Sequence, residues 1–205
     1  MVELGRIEKP EVKSFSGKKK LYFVPNVYPI KDADEEYNNL VNKFWDDAAK
    51  QIEKLEIAGR IRKIFCESIY TQGEEGLKAL ASVNERVHSL VKKKVEEGAT
   101  LLPFEDKEIF DSFLDWRNCL AIVKTMEVSN KIFEFYKEAY DKRLQHIQNV
   151  IESNISEGEA AMLIMGDEVR VKLQFSKDIE VFLVMPPSYD DLLRWFREKL
   201  KEVKK

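Results

Sequence analysis

The chain has 205 residues, 44% hydrophobic and 35% charged, with 34 basic residues against 37 acidic ones and a net charge of −3. That profile belongs to a globular chain able to bury roughly 70% of its unfolded surface, and it excludes a disordered or fibrous one. The two signs are mixed along the sequence, so the positive field needed for phosphate-backbone binding is missing and no nucleic-acid partner is expected.

Other composition signals narrow the setting. The Lys18–Lys20 run and the end rich in lysine (Lys199, Lys201, Lys204, Lys205) read as solvated termini. No stretch approaches the ~18 apolar residues of a membrane span, and the start has no apolar signal core. Cys66 and Cys119 lack Cys-x-x-Cys spacing and read as buried free thiols in a reducing compartment. A cytoplasmic protein without membrane association is expected.

Residues 1–17 read as a loose lead-in and 18–205 as one domain. The run "KLYFVPNVYP" (20–29) is β-type, and Pro25 within it predicts a bent or edge strand. From Asp34 the period changes to that of a helix. Tyr37, Leu40, Val41, Phe44, Ala48, Ile52 and Leu55 share one face, and Gly59 ends the element. "IRKIFCESI" (61–69) predicts a buried strand. Two helices follow, over about 74–80 and 83–96, with Gly98 closing the second, and "ATLLPFE" (99–105) predicts a third strand.

A long helical region occupies 106–154, with a break near Thr125. The remainder predicts a strand at 160–166, a half-exposed alternating run at 169–175 and a buried strand at 179–185. A last helix opens at Ser188, with Asp191 completing a capping box. Apolar strands alternating with helices predict an α/β fold: a layered, mainly parallel sheet flanked by helices. The 160–175 segment would form a C-terminal antiparallel hairpin through Gly166-Asp167. A segregated α+β arrangement is the alternative.

In an open α/β sheet, ligands gather beyond the carboxyl ends of the strands. Those ends carry Asn26, Glu67-Ser68, Glu105-Asp106, Gly166-Asp167 and Pro186. Asp106 is best read as a helix cap, whereas Glu67 has no helix start beside it. The helix through 133–151 places Phe133, Tyr136, Tyr140, Leu144, Ile147 and Ile151 on one face, with Arg143 inside that stripe. A guanidinium on a buried face costs several kcal/mol unless carboxylates answer it. Three readings stand: a head group brought out at the edge of the stripe, a structural pair with Glu67 or Glu105, or a ligand-binding site built on the same three residues.

His88 and His146 have no partner at metal-binding spacing, and neither a nucleotide loop, a nucleophile elbow nor a zinc-protease motif is present. No metal site and no cofactor are expected. The Phe/Tyr stripe of 133–140 reads as core.

The strand ending in Glu67, the "EGATLLPFED" segment, the helix carrying "YDKR" and the strand ending in Gly166 resemble the TraB/Tiki and erythromycin-esterase-like superfamily. That resemblance implies a βα layered fold, with Glu67 and Glu105 matching its glutamates, Arg143 with Asp141 its helix pair, and Gly166 its glycine. The chain departs from the pattern at "FVPNVYP", where a glycine and histidine belong, and at Asp167-Glu168, where a second histidine belongs. "EGEAAMLIMGDEVRVKLQFSKDIEVFLVMPP" is similar to uncharacterised prokaryotic proteins, which implies a prokaryotic source.

The expected function is therefore a non-catalytic binding or interaction protein. Its charged pocket would be built on Arg143 with Glu67 and Glu105, and would take a small anionic ligand or a protein partner. The resemblance implies an alternative, a hydrolase using carboxylate-bound Mg²⁺ or Mn²⁺.

Overall fold

A computed structural model describes residues 17–30 and 32–203, the side chain of Val203 excepted, so all of the expected lead-in but Gly17 lies outside the described residues. The elements run β1 (Lys19–Pro25), α1 (Glu35–Leu55), β2 (Ile61–Cys66), α2 (Gly73–Val83), α3 (Glu85–Glu96), β3 (Thr100–Leu101), α4 (Lys107–Ile122), α5 (Met126–Asn154), β4 (Ala160–Met165), α6 (Asp167–Arg170), β5 (Ile179–Leu183) and α7 (Pro187–Val203). The five strands form one sheet in the order β3-β2-β4-β1-β5, and every pairing is parallel. The fold is α/β.

Alternation along the strands builds two cores. Tyr22, Val24, Met162 and Ile164 face a layer containing α1, α2, α3 and α7. Leu21, Phe23, Ala161, Leu163 and Met165 face Ile147 and Ile151 of α5, with Val169 and Leu173 beside them. In β2 a register shift between Ile61 and Lys63 lets Ile61 and Ile64 share one side despite their odd spacing.

Helix starts follow side-chain chemistry. Asp34 accepts from the Tyr37 N–H at 2.9 Å to cap α1, and Asp106 accepts from the Ile109 N–H at 3.0 Å to cap α4. Buried Asn84 ends α2 and caps α3 through the Arg86 and Val87 N–H groups.

Several expectations are corrected. β1 lies between β4 and β5, and Pro25 is its final residue, past the last bond that β5 makes to it (Val184 N–H to Phe23 C=O, 2.8 Å). The missing N–H therefore leaves no gap in the ladder. The antiparallel hairpin is absent among the described residues, because β1 and β2 already occupy both edges of β4. Residues 167–170 instead form the short α6. Val169 and Leu173, four apart, are buried, while Val171 between them is exposed: a helical spacing where alternation had indicated a strand.

β5 is an edge strand, with Leu183 exposed, and β3 keeps only two paired residues. After Pro103 the chain turns, and the N–H groups of Phe104 and Glu105 both bond the Ile69 carbonyl (2.8 and 2.9 Å). The last helix begins with Pro187 at its first position, and the Ser188 hydroxyl is buried without a hydrogen-bond partner, so it forms no capping box.

Candidate functional site

The carboxyl ends of β1, β2 and β4 open into a cleft of about 590 Å³. Its floor is a charged cluster assembled from three elements. Arg143 lies on α5 between Ala139 and Ile147, on the face that meets the sheet, and is 2% exposed. Glu67 follows β2 and Glu105 follows β3. The Arg143 Nε donates to both Glu105 oxygens (3.2 and 3.0 Å), while its Nη2 donates to Glu105 Oε1 at 2.5 Å and to Glu67 Oε1 at 3.0 Å.

Backbone donors complete the carboxylates. The Gly166 N–H reaches Glu67 Oε2 at 2.9 Å, which ties the end of β4 to the end of β2. The Ser68 N–H reaches Glu105 Oε1 at 3.3 Å, and Ser68 holds a left-handed φ of 69° that turns the chain away from the strand direction. The guanidinium is also stacked on rings, its Cζ 5.0 Å from the Phe110 centroid and 4.8 Å from that of Phe113.

Burial by itself would lower the Arg143 pKa, but hydrogen bonds and charge from Glu105, with the charge of Glu67, outweigh it and hold the guanidinium above its ordinary value. It stays charged at every working pH. The Glu67 side chain is 13% exposed and that of Glu105 is 0% exposed, so only Glu67 reaches the cleft.

The walls are aromatic. Phe110, Phe113 and Arg117 of α4 line the cleft with Tyr136 and Tyr140 of α5, and Tyr28, Ser68, Glu168 and Val169 join them from other elements. Tyr136 and Tyr140 stack at 5.9 Å, and Phe113 lies 5.7 and 5.8 Å from them. Three donors hold the loop that carries Tyr28: Trp45 Nε1 and Asn84 Nδ2 both bond Val27 O, and the Tyr37 hydroxyl bonds Tyr28 O. Burial and then the Glu67 charge push the Tyr28 phenol up to about 12, with a hydrogen bond to Ser68 acting against them. Tyr140 is raised too, first by burial and then by Tyr136.

Of the other residues singled out from the sequence, Asp141 lies two positions from Arg143, on the far side of the helix, and is exposed. Asp167 pairs with Arg170, and Asn26 accepts from Asn84. His88 and His146 do not line the cleft. Cys66 is buried, and burial pushes its thiol far above the ordinary range.

The aromatic wall was read from the sequence as core. α5 is 29 residues long, and its first turns run past the sheet onto α4 alone, so Tyr136 and Tyr140 remain half-buried. No sequence signal marked Tyr28, which comes from the loop after β1, and Glu168, in the short α6, was marked only as a departure from the superfamily pattern.

The carboxylates do not fit a divalent ion, because the Arg143 guanidinium already occupies the position between them and all four carboxylate oxygens hold donors. Among the described residues no group of three or more His, Cys, Asp or Glu side chains is arranged to hold a metal. Among them, too, no helix is long and apolar enough to cross a membrane.

Comparison with protein-family models, with curated proteins and with solved structures finds no match.

Proposed function

We propose that this is a cytoplasmic, non-catalytic binding protein whose ligand enters the cleft at the strand carboxyl ends, with Arg143, Glu67 and Glu105 forming its floor. The supporting observation is the setting of Arg143. Its Nε and Nη2 are held by two carboxylates and its plane lies over two phenyl rings, at the floor of an open aromatic cleft. A guanidinium fixed in this way organises a site.

On this reading the resemblance to the TraB/Tiki and erythromycin-esterase-like superfamily is one of framework, with glutamates and arginine in place and the histidines absent. The hydrolase alternative has less support, since its carboxylates would have to leave Arg143 to bind Mg²⁺ or Mn²⁺.

The test is a thermal-shift screen of anionic, neutral and cationic small molecules against the protein and its Tyr136→Leu/Tyr140→Leu variant, with circular dichroism as the check on folding. At least one class should stabilise the wild type and lose its effect in the variant. Absence of any shift would overturn the proposal. So would Mn²⁺-dependent ester hydrolysis that Glu67→Gln abolishes.

A further inference from the structure

We infer that the cleft takes an organic cation, an amine or quaternary ammonium group, seated between the carboxylates of Glu67 and Glu168 and the rings of Phe113, Tyr136 and Tyr140. This deepens the binding reading above and rests on it.

Arg143 carries one positive charge against the two negative charges of Glu67 and Glu105, so the buried cluster keeps an excess of one negative charge. Glu105 is sealed, and the excess is therefore presented to the cleft through Glu67. Glu168, an exposed side chain, adds a second carboxylate to the same lining and Arg117 a second cation, so with Glu105 the cleft and its floor keep a net excess of one negative charge. Glu168 makes no hydrogen bond or ion pair with any described residue.

Both carboxylates adjoin Gly166. The Gly166 N–H holds Glu67, while the Glu168 carboxyl group lies 2.6–3.0 Å from the place a Gly166 Cβ would fill. Two like charges lining one cleft repel, and a cation between them removes the repulsion.

Phe113, Tyr136 and Tyr140 form a triad of mutually contacting rings, whose π-faces attract positive charge. Phe113 already shows that preference, with Arg143 at 4.8 Å and Arg117 at 5.9 Å over its ring. Carboxylates and aromatic rings in one cleft of about 590 Å³ suit a small ammonium ligand.

The experiment uses choline as probe, with its uncharged carbon isostere dimethylbutanol and the aromatic anion benzoate as comparisons, measured by calorimetry on the full chain. Choline should bind at least about tenfold more tightly than either comparison, and Glu168→Gln should weaken it by about tenfold with melting unchanged. Binding of dimethylbutanol or benzoate that depends on Tyr136, with choline no tighter, would overturn the cation and keep the binding site. No binding by any probe would count against both readings. Choline binding unaltered by Glu168→Gln and by Tyr136→Leu would place the cation elsewhere and overturn the inference.

Discussion

Arg143 and Glu105 meet along the edge of the guanidinium, with Nε shared between both carboxylate oxygens and Nη2 on Oε1, and with side chains 2% and 0% exposed. The Glu105 charge has no other route to water. Truncating Arg143→Ala leaves Glu105 ionised, buried and answered only by the Ser68 N–H. We expect a loss of about 3–5 kcal/mol, read from urea unfolding. An unchanged midpoint would show that the pair contributes nothing net.

The two glutamates should rank differently. Glu105→Gln removes the charge that takes three of the four Arg143 contacts and should cost about 2–4 kcal/mol. Glu67→Gln keeps those three contacts, and water can reach the replaced group, so about 1 kcal/mol is expected. Paired denaturation curves decide it, and a reversed order would contradict the burial argument.

Asn84 is a stronger structural residue than its surface-type chemistry implies. It is buried, caps α3 with its oxygen and satisfies Val27 O with its amide at 2.9 Å. Asn84→Ala removes the cap and one of two donors on that carbonyl, for about 2–3 kcal/mol in total. Asn84→Asp keeps the capping oxygen but sets a buried carboxylate oxygen against Val27 O and Asn26 Oδ1, so it should recover none of the loss in a thermal melt.

Two glycines separate backbone clash from side-chain clash. A Cβ on Gly76 would stand 2.7 Å from the Thr71 carbonyl oxygen, which cannot move without its loop, so Gly76→Ala should cost about 1–3 kcal/mol. On Gly166 the obstacle is the mobile end of Glu168. Gly166→Ala should therefore alter stability by no more than about 0.5 kcal/mol while pushing Glu168 out of place. Melting curves of the two variants give the comparison.

Alkaline pH should loosen the fold through Tyr22. Its hydroxyl sits between the carbonyls of Leu55 (2.9 Å) and Gly59 (2.8 Å), where a phenolate would face two oxygens without a donor. Burial, then the Glu56 charge, raises its pKa from 10.0 to about 12. The raised value means that the folded state holds the proton more tightly than the unfolded one. This contribution is full below pH 10.0 and is lost as pH rises towards about 12. Stability measured across that window should fall, and Tyr22→Phe should flatten the part that follows tyrosinate absorbance.

The sheet could be read in the chain because each strand is a short apolar run between helices of clear period, and because polar caps such as Asp34 and Asp106 stand where helices begin. The 169–175 segment misled because a stretch with apolar residues at every second position fits a strand and a loose turn equally well. What decided was that neither edge of β4 was open, which is tertiary information. Arg143 stood out as a charge inside an apolar stripe. The order of its partners did not, since Glu105 reaches it through a turn held by the Ile69 carbonyl, a contact with no local signature. The aromatic wall was hidden for a related reason: periodicity gives the face of a helix but not where its neighbour ends.

The position of β4 carries a consequence for how the protein is made. β1 and β2 do not touch; the strand between them pairs Lys20 with Ala160 on one side and Cys66 with Ile164 on the other. On a ribosome, both early strands emerge with open edges long before that insert exists. Until residues 160–165 leave the exit tunnel, the nascent chain has helices but no continuous sheet to lay them on. Translation past Met165 is thus the step that commits the chain, and truncation before it would release β1 with both edges open and β2 with one, with nothing to join them.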